Sequence, residues 1–222
     1  MPVLVIGASR GLGLEFARQF RAVGERVVAT ARSEEGLGAL RALGCEALPL
    51  DLLDAASVAS LGWRLDGERF DAAILNAGVY GPRTQGLESP TQDDFDTVMR
   101  TNVLGPMRVL PQIEATLTAG AKLMVLSSMM GSIGQRSSTT GWLYRASKAA
   151  VNSVLRDAAL ALGPRGITCV AVHPGWVQND MGGPHATLSP ERSVADLRRL
   201  LARLTPDDNG HFLNHDGSPI AW

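Results

Sequence analysis

GASRGLG, residues 7–13, sits between the apolar run PVLVI (2–6) and the amphipathic stretch LEFARQF (14–20). It is therefore a strand-turn-helix, and two chemistries use that shape. Gly7, Ser9 and Gly11 fit G-x-S-x-G, the turn that presents a nucleophilic serine in hydrolases. Gly7, Gly11 and Gly13 equally fit a glycine-rich loop that cradles phosphate. A nucleophile turn normally lies mid-sheet, because an earlier strand supplies the loop of its oxyanion hole. Here the turn follows the first strand, and that reading leaves Gly13 without a task. The phosphate loop uses all three glycines, for a tight turn, close approach of backbone to a pyrophosphate, and close helix packing. The helix opening at Leu12 adds free N–H groups that favour an anion.

Outward from this loop, short β-branched runs alternate with helical periodicity. Strands are predicted at 2–7, 26–31, 45–50, 71–78, 121–128, 166–175 and 211–217. Helices are predicted at 12–23, 36–43, 55–65, 91–118, 142–162 and 191–204. Thr91, with Asp94 three residues on, reads as the N-cap of the fourth helix. Continuous apolar strands separated by helices predict a parallel sheet covered on both faces. With no repeat, linker or low-complexity segment, residues 1–222 are read as one Rossmann-type, doubly wound α/β domain of about seven strands. The longest irregular stretches, 79–90 and 176–190, follow strand C-termini, where open α/β sheets bind ligands.

Bulk composition narrows the function classes. The chain has 222 residues, 45% hydrophobic and 19% charged, as expected of a globular protein with a core. A net charge of -1 argues against a field that gathers nucleic acid or anionic lipid. Cys45 and Cys169 lie in apolar stretches and read as buried free thiols of a reduced compartment. Neither a signal peptide nor a membrane span is legible, so a cytoplasmic protein is expected.

Two arginines address the nucleotide. A NAD-type site places an acid about twenty residues past the glycines, for the ribose 2′-hydroxyl. No acid stands at 29–32; Arg32 does, and Arg10 lies in the loop itself. Guanidinium groups suit a 2′-phosphate, so NADP(H) is the expected cofactor. Tyr144 and Lys148 are four apart on a predicted helix and share one face. An ammonium beside a phenol favours the phenolate, bringing its pKa toward the range useful for proton transfer.

Together, GASRGLG, Asp51, Asn76-Ala77-Gly78, Asn102, Ser128, Tyr144-x-x-x-Lys148 and His173-Pro174-Gly175 resemble the short-chain dehydrogenase/reductase family, over nearly the whole chain. GSIGQRSSTTGWLYRASKAA, PGWVQNDMGG and HDGSPIAW look like its C-factor or sniffer-type carbonyl reductases. The resemblance implies reduction of a small aldehyde, ketone or quinone by hydride transfer. It implies Tyr144 as proton donor, with Ser128, ahead of Ser127, bonding the same carbonyl oxygen. It implies that Lys148 holds the nicotinamide ribose and that Asn102 holds a relay water. Gly7, Ser9, Arg10, Gly11, Leu12, Gly13, Arg32, Asp51, Leu52, Asn76, Ala77 and Gly78 would bind the adenosine and phosphates. Tyr144, Lys148, Pro174, Gly175, Val177 and Asn179 would bind the nicotinamide end. Asn179 stands where the family commonly has threonine. Val79, Tyr80, Met129, Trp142, Trp176 and Met181 are the expected substrate walls, and the short segment 180–190 predicts an open pocket.

The resemblance also implies a homodimer or homotetramer built on helices 91–118 and 142–162. A dinucleotide-binding signalling protein with little catalysis is the alternative, and a hydrolase using Ser9 the remote one. His211 and His215 are read as surface and edge histidines, His173 as structural, and no cluster suggests a metal. Asp93, Asp94 and Asp96 are a solvated helix start. Arg198, Arg199 and Arg203 are a solvated or subunit face, with no nucleic-acid or membrane partner expected.

Overall fold

The computed structural model describes residues 1–222. Seven strands form one parallel sheet in the order β3-β2-β1-β4-β5-β6-β7. They are β1 (Val3–Ile6), β2 (Val27–Ala31), β3 (Glu46–Pro49), β4 (Phe70–Leu75), β5 (Leu117–Leu126), β6 (Thr168–His173) and β7 (Phe212–Asn214). Successive strand residues point to opposite faces, and β1 shows the consequence. Val3 and Val5 pack into one apolar layer, Leu4 and Ile6 into the other. Helices α1 (Gly11–Ala22), α2 (Glu34–Ala42) and α7 (Pro190–Arg203) cover the first layer through Phe16, Phe20, Leu40 and Leu197. Helices α3 (Ala55–Arg64), α5 (Gly105–Ile113) and α6 (Trp142–Leu162) cover the second through Leu61, Ile113, Val151 and Leu155.

The strand order reverses between β1 and β4, so the chain leaves the sheet in opposite directions after these strands. That divergence opens a crevice at the C-terminal edge of a parallel sheet.

The predicted helix 91–118 is not one helix. Thr91 caps α4 (Gln92–Met99), its hydroxyl accepting from the Asp94 N–H at 3.1 Å. A wide π turn follows at Arg100–Leu104, then α5, then a short 3₁₀ turn at Glu114–Thr116. Pro106 has no N–H to continue an α ladder, and the preceding Gly105 N–H bonds the Arg100 carbonyl five residues back. Leu117, expected in the helix, already pairs with Phe70 in the sheet. Cys45 and Cys169 are buried free thiols, and burial pushes both pKa values up, Cys169 to about 12. No helix is long and apolar enough to cross a membrane.

Candidate active site

A cavity of about 660 Å³ opens at the C-terminal edge of the sheet, within the size range of small-molecule sites. One end is lined by Gly7, Ser9, Arg10, Gly11, Leu12, Arg32, Asp51, Leu52, Asn76, Ala77 and Gly78. The other is lined by Ser128, Tyr144, Lys148, Pro174, Gly175, Val177 and Asn179. Gly13 and Asn102 stand behind this lining.

The loop at the first end is held by bonds that the sequence does not announce. Gly7 N–H donates to Thr30 Oγ1 at 2.9 Å, and Asn76 Nδ2 donates to the Gly7 carbonyl at 2.6 Å. Gly7 has φ +83°, and a Cβ there would lie 2.6 Å from Ala77 Cβ. A Cβ on Gly13 would overlap the Gly7 carbonyl, so Gly13 lets α1 pack onto the loop and does not line the cavity. Arg10 has no side-chain cap bond at the N-terminus of α1, leaving those N–H groups aimed at the cavity. Arg10 itself pairs with Asp180 across the crevice. Arg32 has no carboxylate partner.

At the other end, Ser127 and Ser128 separate cleanly. Ser127 Oγ donates to Asn152 Oδ1 at 2.6 Å, inside the core. Ser128 caps the turn Met129–Gly131 and lies beside Tyr144. Tyr144 and Lys148, both buried, are presented by the first turns of α6. Burial pushes the Tyr144 pKa well above the ordinary tyrosine value; the Ser128 hydroxyl pulls it back and Tyr80 raises it further. This corrects the sequence expectation that Lys148 lowers it. Lys148 Nζ, 5.7 Å from the Tyr144 ring centre, instead donates to the Leu126 carbonyl at 2.8 Å. Burial pushes its own pKa down to about 8.

Asn102 lies in the π turn, and its side chain is already engaged. Oδ1 accepts from Val79 N–H at 2.8 Å, while Nδ2 donates to the Val79 carbonyl at 2.8 Å and to Ser147 Oγ at 2.9 Å. It therefore clamps the exit of β4 to α6, a task that the relay reading did not include.

Val79, Tyr80, Met129, Trp176 and Met181 line the cavity, as expected, and Met130 and Arg83 join them. Trp142 does not; its indole N–H donates to the Glu88 carbonyl at 2.9 Å, away from the cavity. The Tyr80 ring stacks on Tyr144 with centres 4.5 Å apart. The Tyr144 hydroxyl meets Met181 Sδ at 3.5 Å. The Asn179 carboxamide oxygen accepts from the N–H groups of Met181 and Gly182, at 3.0 and 2.8 Å. It shapes its own turn and keeps its NH₂ free.

His215 follows the edge strand β7, as expected, but is half-buried and engaged. It packs on Gly175 and its Nδ1 lies 3.2 Å from Asp196 Oδ2. Burial, with help from His215, pushes the His173 pKa down to about 4, consistent with a structural, neutral imidazole. The basic face of α7 is tied internally. Arg192 and Arg199 pair with Asp196, Arg198 lies over Phe20, and Arg203 donates to the Asp216 carbonyl.

A doubly wound sheet, a glycine loop at the switch point and a buried Tyr-Lys pair at the opposite end define a dinucleotide-binding α/β protein. The family model described as enoyl-(acyl carrier protein) reductase matches residues 7–211, and the chain belongs to the short-chain dehydrogenase/reductase family. It is 33% identical to a 1-hydroxy-2-glutathionyl-2-methyl-3-butene dehydrogenase of Rhodococcus, over 99% of both chains. It is 39% identical to the C-signal protein of Myxococcus xanthus, over 68% of this chain and 92% of that one. An NADPH-bound carbonyl reductase from chicken fatty liver superposes with a TM-score of 0.87 at 32% identity, covering 100% of this chain and 98% of that one.

Proposed function

We propose that this chain is an NADPH-dependent oxidoreductase that reduces the carbonyl of a small aldehyde, ketone or quinone. The observation that carries the reading is the placement of Tyr144 and Ser128 side by side, at the end of the cavity opposite the glycine loop. The residues fit a dinucleotide. The Gly7 turn has no room for a Cβ, α1 offers free N–H groups, and Arg10 and Arg32 line the same end of the cavity, where they would answer a 2′-phosphate. The nicotinamide of such a cofactor supplies hydride when bound. Ser128 orients the substrate oxygen by hydrogen bond and Tyr144, protonated at neutral pH, gives it a proton. Lys148 would hold the ribose hydroxyls in place of its bond to Leu126, and Asn179 would offer its free NH₂ to the carboxamide. Pro174, Gly175 and Val177 line this end of the cavity and would contact the ring. The NADPH-bound state of the chicken carbonyl reductase supports the cofactor assignment.

The test is NADPH consumption by the purified protein against a panel of activated aldehydes, ketones and quinones. Turnover is expected with several of them. NADPH binding without turnover on any member would favour the second reading, a dinucleotide-binding regulator, which the similarity to C-signal supports.

Cofactor choice gives a separate prediction. Replacing Arg10 and Arg32 together by alanine should weaken NADPH binding at least about tenfold and leave NADH binding within about twofold. Titration calorimetry with both nucleotides checks it; equal losses would place the arginines elsewhere than on the 2′-phosphate. Exposed Phe95, Met107 and Leu160 on α4, α5 and α6 support self-association through those helices, which light scattering would detect.

A further inference from the structure

We propose that the substrate carries an anionic group, a carboxylate being the simplest, and that Arg83 receives it. The proposal rests on the carbonyl-reducing reading above and narrows its substrate class.

Arg83 lies in the loop after β4 and borders the cavity. Its guanidinium carbon is 4.8 Å from the centre of the Tyr80 ring, and Tyr80 stacks on Tyr144 at 4.5 Å. Its Nη2 donates to the Met181 carbonyl at 2.7 Å, on the loop that closes the other side of the mouth. The cation is therefore held in place, one ring beyond the phenol that would protonate the substrate.

Its charge is unanswered. No carboxylate lies within ion-pairing distance of Arg83. Its one hydrogen-bond acceptor is a neutral main-chain carbonyl, which leaves most of the guanidinium fork unused. Two acids could approach Arg83 and both have other partners: Glu88, five residues on, accepts from Gln85 N–H, and Asp180, beside the Met181 that Arg83 bonds, pairs with Arg10. The other cations of the cavity have separate positions. Arg10 and Arg32 stand at the adenosine end, and Lys148 is bonded to Leu126 in the interior.

Around Arg83 the substrate end is built from Tyr80, Met129, Met130, Trp176 and Met181. A lone, oriented guanidinium beside aromatic and thioether walls suits a ligand with an apolar body and one anionic end. A carboxylate gains a bidentate, charge-assisted partner there, on a guanidinium exposed at the mouth and already positioned by its bond to Met181. A neutral substrate fills the same walls and leaves the cation unpaired. The geometry also fixes the orientation, with the carbonyl toward Tyr144 and Ser128 and the anion toward the mouth.

The experiment compares 4-carboxybenzaldehyde with its uncharged analogue methyl 4-formylbenzoate. For wild type, Arg83→Gln and Arg83→Lys, one measures kcat/KM with NADPH. One also measures the Kd of each compound from quenching of tryptophan fluorescence in the NADP⁺ complex, Trp176 being at the mouth. Wild type is expected to prefer the acid at least about tenfold in both quantities. Arg83→Gln should abolish that ratio, and Arg83→Lys, which keeps the charge, should retain part of it. A wild-type ratio near one overturns the proposal. So does a ratio unchanged in Arg83→Gln, or an Arg83→Lys variant as indifferent as the glutamine variant. If neither compound is reduced, the carbonyl-reducing reading fails for this pair, while the Kd ratio still decides whether Arg83 binds the anion.

Discussion

Tyr144→Phe is expected to lower kcat for carbonyl reduction by about 10²- to 10⁴-fold, the usual contribution of a positioned general acid. The affinity for NADPH should stay within about twofold, because the variant keeps the ring and deletes only the hydroxyl. That hydroxyl meets a weak acceptor, Met181 Sδ at 3.5 Å, and the Ser128 hydroxyl, which keeps its own bond from Met130 N–H when the phenol is lost. Its loss should therefore change folding stability by less than about 1 kcal/mol, so lost turnover cannot be blamed on unfolding. The direction of the pKa shift matters here. Burial holds the phenol well above its ordinary value, so Tyr144 stays protonated through neutral pH and can donate. The reduction rate should not fall between pH 6 and 8 through ionisation of this group. Pre-steady-state measurement of NADPH oxidation with Tyr144→Phe separates the proton step from cofactor binding. Undiminished turnover would mean that the proton comes from another group, and the role given to Tyr144 would have to be abandoned.

The sheet was legible because its signals are local. β1 is a continuously apolar run, β4 and β6 are largely apolar ones, and α1 and α6 carry clear stripes. The predicted helix 142–162 matches α6 at both ends, and Gly163-Pro164 marks where it stops. The region around residue 105 was harder. Apolar residues at Val98, Val109 and Ile113 continue a helical pattern across it, while Gly105 and Pro106 change the hydrogen-bond ladder. Those two residues were the available signal. The site divides in the same way. Residues at strand ends and on helix faces follow from periodicity. Which loop side chain reaches which partner depends on contacts between distant segments, and no pattern within one segment reports them. Trp142 turns to Glu88, Arg83 to Met181 and His215 to Asp196 for that reason. Lys148 shows it best, because its spacing from Tyr144 predicted a neighbour and its actual partner is a main-chain carbonyl on β5.

That partner leads to the second large effect, Lys148→Met. A buried ammonium with a single neutral acceptor is unfavourable, and burial moves its pKa down to about 8. Against an unfolded value near 10.4, the charged form costs the folded chain on the order of 3 kcal/mol. Methionine fills similar volume without charge but forfeits the bond to Leu126, which returns about 1–2 kcal/mol of that gain. The variant should therefore be more stable than wild type at pH 7 by about 1–2 kcal/mol, a rise in Tm of several degrees. The pH dependence carries the sign. Below about pH 8 the lysine is protonated in both states and the cost is present in full. Between about pH 8 and 10.4 the unfolded chain binds more protons than the folded one, so wild-type stability gains on the variant as pH rises. The advantage of Lys148→Met should shrink across that window. If Lys148 holds the nicotinamide ribose as proposed, turnover should fall by at least about a hundredfold, because no ammonium remains to position the cofactor. Paired denaturant titrations at pH 7 and pH 10 read the stability arm, and NADPH oxidation reads the other. A variant that is less stable at both pH values would make Lys148 an anchor between α6 and β5. A variant that gains stability and loses turnover would show a cation retained in the core at the expense of the fold, for what it does to the ligand.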